Sequence, residues 1–345
     1  MKFGIGGIRA TANVPNYKEA VELIKFCDSL GYDYSWFSTD SFREYTIVMA
    51  ICAMETSRLK MGPGVANPYS RHPLVIARTI ATLDEVSNGR AFLGLATGDI
   101  SENLRGQGYD TSNSYERVRE SAIIIKRLLS GENVTFKGKY FNVEDISLGF
   151  ECRRNIPIYI AGGGLKILEV AGEVADGVIL TYVEPDILKR ALEPVEKGAA
   201  KAGKSLKDIE IVCWTPVQVT KKDDNLREQL RSFIAMSILL ARRSWVIDAG
   251  ISLEQIKALQ DAYVTGSHYD NKLEKISDER LSKIVTDRMY DLKSIIGPKD
   301  YCIERIRSLE KAGASQLVTW VIPKILEEKK DALKTFAHDV IPAFR

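Results

Sequence analysis

Short apolar segments that end in polar or glycine-rich turns alternate with amphipathic helical patterns along most of this 345-residue chain. Such alternation is typical of a parallel sheet whose strands are joined by crossover helices. The segments that fit strands are 2–8, 34–38, 59–65, 91–96, 156–161, 177–182, 209–220 and 315–322. Doubly wound sheets usually have fewer strands and a different glycine signature. The sequence therefore predicts an α/β fold of the eight-stranded (β/α)8 barrel type.

Two stretches interrupt this alternation. Residues 131–155 contain the sequence KGKYFNVEDISL, which predicts a β-hairpin on the surface. Residues 222–296 show helical patterns without a strand and are too long for an ordinary strand-to-helix loop. We therefore expect one domain, residues 1–345, folded as a TIM barrel with a helical insertion before the last strand that caps the barrel mouth.

The charge balance gives no sign of a nucleic-acid or membrane surface. The net charge is +2, and no apolar run approaches the roughly 20 residues that span a bilayer. The amino-terminal segment lacks the long apolar stretch of a secretion signal. The five cysteines are far apart without CxxC spacing, and the three histidines have no i/i+4 pairing. We expect a cytoplasmic protein with reduced thiols, no histidine metal site and a small-molecule substrate.

The turn Gly162-Gly163-Gly164 is a candidate ligand site. It follows an apolar strand and precedes a helix, where backbone N–H groups free of side chains can bind a phosphate. A tight strand-to-helix turn without a ligand would explain the same glycines. The position at the carboxyl end of a strand favours the phosphate, because barrel sites are built from the loops at that end.

Three more strands end in residues that suit a site. Gly64 and Val65, within GPGV, indicate either a close backbone approach to a flat ligand or an irregular strand end. Asp99, within ATGD, suits a proton donor or a helix N-cap. Asp40, in STDS, has the same two interpretations.

Two residues near the expected mouth are predicted to be structural. Trp36 fits a buried core position better than a stacking surface for a ring, and His72 fits a loop or helix cap better than a catalytic base. The chain also contains no GxSxG, Walker or HExxH motif. The common signatures of serine hydrolases, P-loop proteins and zinc proteases are therefore missing.

Five segments together resemble one enzyme superfamily. They are GYDYSWFSTDSF, GPGVANPYSRHP, ATLDEVSNGRAFLGLATGD, IPIYIAGGG and AGEVADGVIL. Over nearly its full length the chain resembles the bacterial-luciferase-like superfamily and, within it, the coenzyme F420-dependent reductases of methylenetetrahydromethanopterin. The resemblance implies a deazaflavin, coenzyme F420, at the barrel mouth. It also implies hydride transfer to or from an organic substrate by a homodimer or homotetramer.

The resemblance assigns site residues as well. It implies a cis peptide between Gly64 and Val65 that presses on one face of the deazaflavin, and a cofactor phosphate on the glycine turn. It makes Asp99 and Asp40 the candidate catalytic residues, with Asp99 serving ring protonation. The residues expected to bind the cofactor are Asp40, Gly64, Val65, Ala96, Thr97, Gly98, Asp99, Gly162, Gly163, Gly164 and Thr181.

Two departures from the resemblance concern the substrate. The methanopterin reductases look like they have a glutamate at the end of the first strand, where this chain has Gly6-Gly7. They also have a histidine where this chain has Ser41. The loss of both polar groups affects the expected pterin substrate more than the cofactor. Two alternatives stay open: an FMN-dependent monooxygenase of the same superfamily, and a non-catalytic barrel that has lost its cofactor.

Overall fold

The computed structural model describes residues 1–8, 16–39, 44–98, 108–220, 226–262, 278–323 and 325–345. The strands are β1 (Lys2–Ile8), β2 (Tyr34–Phe37), β3 (Lys60–Pro63), β4 (Leu93–Leu95), β5 (Val134–Lys137), β6 (Asn142–Ile146), β7 (Ile158–Ala161), β8 (Gly177–Leu180), β9 (Glu210–Val219), β10 (Ile295–Gly297) and β11 (Gln316–Trp320). The helices are α1 (Tyr17–Leu30), α2 (Tyr45–Glu55), α3 (Pro73–Val86), α4 (Ser114–Leu129), α5 (Leu165–Val174), α6 (Pro185–Lys201), α7 (Leu226–Leu240), α8 (Arg243–Asp248), α9 (Leu253–Ala262), α10 (Asp278–Ser282), α11 (Asp287–Lys293), α12 (Lys299–Lys311) and α13 (Leu326–Asp339). None of these helices is long and apolar enough to cross a membrane.

Eight parallel strands form the barrel. Their order is β3–β2–β1–β11–β9–β8–β7–β4, and β4 returns to β3 through the bridges Met61–Ala91 and Ala66–Leu95. The amide of Ala66 donates to the carbonyl of Gly94 at 2.8 Å, which ties the two ends of the sheet together. The prediction of an eight-stranded (β/α)8 barrel is confirmed.

Local signals set the bounds of α3. The helix begins at Pro73 because Nδ1 of His72 accepts a hydrogen bond from the amide of Leu74 at 3.2 Å. It is followed by Asn88 and Gly89, whose φ angles of 55° and 80° reverse the chain. His72 is therefore a capping residue, as predicted.

The barrel lumen is filled by its own cluster of buried side chains. Because side chains alternate along a strand, Tyr34 and Trp36 of β2 point inwards, whereas Phe37 packs against the surrounding helices. The remaining members of the cluster are Phe92, Tyr159, Ile179, Val212 and Val318, with half-buried Val65, Ala161 and Trp214 packed against them. Trp36 is 0% exposed, which confirms its predicted core position.

The amino-terminal end of the lumen is closed by paired polar groups. Nζ of Lys2 forms an ion pair with Glu210, and the hydroxyl of Tyr159 donates to the other oxygen of that carboxylate at 2.9 Å. Lys2 also donates to the hydroxyl of Tyr34 at 3.5 Å. Nζ of Lys60 lies 5.3 Å from the centre of the Tyr34 ring. The cations at this end therefore have partners within the barrel.

The first interruption of the alternation is the hairpin predicted for residues 131–155. Strands β5 and β6 pair antiparallel there, as expected. The carboxylate of Glu120, on α4, accepts hydrogen bonds from the amides of Lys139, Tyr140 and Phe141 at 2.7 to 3.0 Å. This one buried side chain fixes the hairpin tip against the barrel wall.

The second interruption, predicted as helical over residues 222–296, contains α7 to α11 in its described part. The prediction that it holds no strand is wrong, because β10 begins at Ile295 and pairs in parallel with the end of β9. The pairing of β9 with β11 stops at Pro216. The last residues of β9, 217–219, extend beyond the barrel and leave backbone groups that a three-residue strand can pair with.

Candidate functional site

Small residues line the carboxyl-terminal mouth of the barrel. By strand alternation, the last inward positions of five strands are Gly6, Gly64, Ala96, Ala161 and Thr181. Because these side chains are small, they do not cover the mouth of the barrel. Barrel enzymes build their sites at this end, and the predicted site residues Gly64, Ala96 and Thr181 lie there.

The third strand ends in the predicted backbone feature. The peptide between Gly64 and Val65 is cis, which confirms what the resemblance implied. The amide of Gly64 donates to the carbonyl of Phe37 at 2.7 Å. The carbonyl of Val65 accepts from the hydroxyl of Thr39 at 2.5 Å. The bulge is therefore fixed to the end of β2 and presents backbone without a side chain at Gly64.

The glycine turn divides into two parts with different roles. A Cβ on Gly162 would overlap the side chain of Ile167, so packing explains why glycine occupies this position. Gly163 and Gly164 are exposed, and a Cβ on Gly163 would meet only the hydroxyl of Tyr182, at 3.2 Å. A Cβ on Gly164 would make only an ordinary contact, and one on Gly163 would need a small shift of the Tyr182 hydroxyl, so packing requires glycine less strictly here than at Gly162. Access to the backbone is a further reason for glycine at these two positions.

The start of α5 has the electrostatics of an anion site. Gly164 is its N-cap and carries no side chain that could accept hydrogen bonds from the first-turn amides. Unsatisfied amides at a helix amino terminus carry partial positive charge and bind phosphate or carboxylate groups. Lys166, in the same turn, lies with Nζ 3.3 Å from the hydroxyl of Tyr115 and 4.7 Å from its ring centre. The turn can therefore hold a phosphate with backbone and side-chain donors.

The fourth-strand turn packs against the loop that follows β3. Thr97 is 9% exposed, and Gly98 has a φ of 79°. A Cβ on Gly98 would lie 3.2 Å from Cβ of Asn67, so the two loops touch at the rim. Asp99 and Asp40, the predicted catalytic residues, lie outside the described residues and stay predictions.

Sequence reasoning missed a buried amine at the mouth. Lys293 ends α11 and is 4% exposed. Its Nζ donates to the carbonyl of Thr181 at 3.4 Å and lies 4.5 Å from the ring centre of Tyr182. Within the part of the chain that the structure describes, no carboxylate pairs with it. Burial lowers the pKa of Lys293 to about 7, so the amine can gain or lose a proton near neutral pH.

The helical insertion holds Lys293 in place. Arg288 of α11 forms an ion pair with Glu184, at the start of α6, with a separation of 3.0 Å. Arg305 of α12 donates to the carbonyls of Val183 and Asp291 at 3.0 and 2.7 Å. These contacts join the insertion to the end of β8. The burial of Lys293 depends on this packing, which no local sequence signal indicates.

Trp214 of β9 is the large residue at the mouth. Its half-buried indole lies 5.8 Å from the ring of Trp36, centre to centre. A Cβ on Gly6 would lie 2.6 Å from Cε2 of Trp214, and a Cβ on Gly64 would lie 2.6 Å from its Cη2. The glycines at both positions therefore make room for one indole ring. This role of Trp214 was not assigned from the sequence.

The cysteines do not contribute nucleophiles to the mouth. Burial raises the pKa of the thiols of Cys52, Cys213 and Cys302 to about 12, and Cys27 is also fully buried. Thiols with such values stay protonated at neutral pH and react slowly. Four of the five cysteines therefore lie in the core.

Comparison with known proteins agrees with this geometry. The family model of luciferase-like monooxygenases matches residues 2–316. A 5,10-methylenetetrahydromethanopterin reductase of Archaeoglobus fulgidus is 33% identical over 349 aligned residues, covering 100% of both chains. An F420-dependent glucose-6-phosphate dehydrogenase of Amycolatopsis mediterranei is 25% identical and covers 98% of both chains.

A solved structure has the same architecture. The coenzyme F420-dependent tetrahydromethanopterin reductase of Methanopyrus kandleri superposes with a TM-score of 0.84 at 27% identity. The match covers 100% of this chain and 99% of that one. The structural match therefore includes the helical insertion and the hairpin.

Proposed function

The chain belongs to the luciferase-like monooxygenase family, and from that premise we propose that it is a coenzyme F420-dependent oxidoreductase. The observation that carries the proposal is the convergence of three features on one rim. They are the bulge at Gly64–Val65, which lacks a side chain at Gly64, the start of α5 with its glycine N-cap, and the small residues between them. The full-length likeness to F420-dependent enzymes supports deazaflavin over FMN.

The residues at the mouth fit such a cofactor. The exposed Gly163 and Gly164 give a phosphate access to the amides of α5. Gly64 and Val65 would support one face of a planar ring with backbone, and Ala96, with no bulky side chain, leaves room beside it. When bound, the deazaflavin supplies the hydride chemistry, and the protein supplies orientation and a dry site.

The protein's own catalytic contribution is proposed to be a proton at Asp99. A carboxyl group near the mouth can donate or accept the proton that accompanies hydride movement. Asp40, after β2, is the second candidate for that role. For the substrate we propose a pterin of the methylenetetrahydromethanopterin type, on the basis of the relatives that match over the whole chain.

The test is hydride transfer from reduced F420 to methylenetetrahydromethanopterin, followed by the deazaflavin absorbance. Asp99→Asn keeps the shape of the side chain and can still cap a helix, but cannot donate a carboxylic proton. We expect it to bind F420 and melt like the wild type, with turnover at least about 100-fold slower. Near-normal turnover with intact binding would show that Asp99 only positions or caps.

We also propose that the protein is a homodimer or homotetramer of the cytoplasm. The outer face of α2 is apolar, with Ile47 61% and Met54 76% exposed. These residues are two helical turns apart and so lie on one side. Exposed apolar faces of this kind mark association surfaces. Light scattering should give a multiple of 38.5 kDa, and Met54→Glu should shift the mass towards one chain.

A further inference from the structure

The indole of Trp214 crosses the lumen of the barrel. Its β9 and the opposite strand β3 are four places apart in a ring of eight strands. Trp214 nevertheless reaches the space beside Gly64, which follows β3, and the space beside Gly6 on β1. The ring therefore lies beneath both the bulge and the end of the first strand.

The same ring excludes any side chain at the end of β1. A Cβ on Gly6 would meet Cε2 of Trp214 at 2.6 Å and Cγ1 of Val318 at 2.7 Å. Real Cβ atoms do not approach other heavy atoms so closely, so even alanine would force the indole or the strand to move. A carboxylate at position 6 and an indole at position 214 cannot share this space.

An indole gives the floor of the mouth a different chemistry from that of a carboxylate. An acidic side chain at the first strand would offer hydrogen-bond acceptors and a charge to the bound substrate. The indole offers a broad apolar surface, and its half-buried state leaves part of the ring open to the mouth. Planar aromatic groups pack on such a surface by stacking or edge contacts.

We propose that Trp214 is a specificity-determining residue, whose indole is the floor against which the planar ring of a pterin substrate packs. This inference rests on the proposed F420-dependent activity and names the part of the site that selects the substrate. The ring of Trp214 would position the substrate beside Gly6 on β1, next to a deazaflavin held on the bulge. Selection at the floor would then rest on shape and apolar contact, because Gly6 offers no polar side chain.

The experiment uses the full-length protein with F420 bound and tetrahydromethanopterin as the probe. Trp214→Ser should weaken probe binding by about tenfold or more, which is the loss of one aromatic contact. The same variant should keep the Kd for F420 within about threefold. Trp214→Phe, which retains a ring, should restore most of the probe affinity. Unchanged probe binding in Trp214→Ser would overturn the inference.

A stability measurement tests the shared space separately. Gly6→Ala should lower the Tm by several degrees in the wild type, because the added methyl group meets the indole. In a Trp214→Ser background the same change should cost less, because only the close contact with Val318 remains. Equal losses in both backgrounds would contradict the geometry. If the wild type binds F420 but not tetrahydromethanopterin, this inference fails alone, whereas a failure to bind F420 removes the proposed function itself.

Discussion

The two ends of the barrel treat a lysine in opposite ways. At the amino-terminal end, burial works against the charge of Lys2, but hydrogen bonds to Glu210 and Tyr34 outweigh it and raise the pKa of Lys2. At the mouth, Lys293 has a carbonyl and an aromatic ring as neighbours, and burial lowers its pKa to about 7. At the closed end, the charge of Lys2 is paired within the fold. At the mouth, the amine of Lys293 is able to bind a ligand.

The difference separates stability from function within one architecture. Paired groups at the closed end hold the strands together, as is expected at the end of a barrel that carries no site. An ionisable group buried without a partner of opposite charge costs stability, and such groups concentrate at functional sites. We therefore assign Lys293 to the mouth site, and Lys2 to the scaffold.

The largest expected effect is on the stability of Lys293→Met. The folded pKa of about 7 is below the unfolded value of about 10.4, so the unfolded chain binds more protons between these pH values. Wild-type stability should therefore rise with pH across that window, by up to about 1.4 kcal/mol per pH unit. The variant lacks this dependence. At pH 7 it should be more stable than the wild type by a few kcal/mol, because methionine avoids the free-energy cost of burying an amine.

Denaturant unfolding of both proteins from pH 7 to pH 10 measures this effect. The advantage of the variant should shrink as the pH rises and vanish near the unfolded pKa. A difference that stays constant with pH would mean that Lys293 keeps its proton in the folded state. That result would remove the contrast between the two ends.

The next effect concerns the glycine turn. Gly163→Val should block the approach of a phosphate to the amides of α5, and we expect the Kd for F420 to rise by about tenfold or more. The Tm should change by only a few degrees, because a Cβ there meets just the hydroxyl of Tyr182. Gly162→Val is the matched control. It should lower the Tm instead, since its side chain would overlap Ile167.

The smallest effect is expected at the closed end. Lys2→Met removes a partly exposed ion pair with Glu210, which contributes roughly 0.2–1 kcal/mol. Because the folded pKa of Lys2 is raised, its contribution should be present below the unfolded value and be lost as the pH rises through the folded one. Calorimetry should show a small loss of Tm with F420 affinity unchanged. A weakened affinity would show that the closed end communicates with the mouth.

The sequence predicted elements whose signals are local. The bounds of α3 follow from the cap before Pro73 and the turn at Asn88-Gly89, and both are short-range. The strand β10 was missed because a three-residue strand has no pattern of its own. It exists because β9 extends past its pairing with β11.

Prediction of the site was limited in the same way, because only local sequence signals could be found. Gly64, Val65 and the glycine turn were found from residue types at the ends of strands. Lys293 was missed because its burial depends on how the insertion packs against β8. The role of Trp214 was missed because a contact across a barrel joins residues about 150 to 210 positions apart, a separation that local periodicity does not report.

The most direct test of the account is the choice of cofactor. The purified wild-type protein is titrated separately with coenzyme F420 and with FMN, and binding is followed by protein fluorescence and ring absorbance. We predict a Kd for F420 at least tenfold lower than that for FMN, a difference of about 1.4 kcal/mol. A Kd for FMN tenfold lower than that for F420, or binding of neither, would contradict the assignment of the mouth as a deazaflavin site.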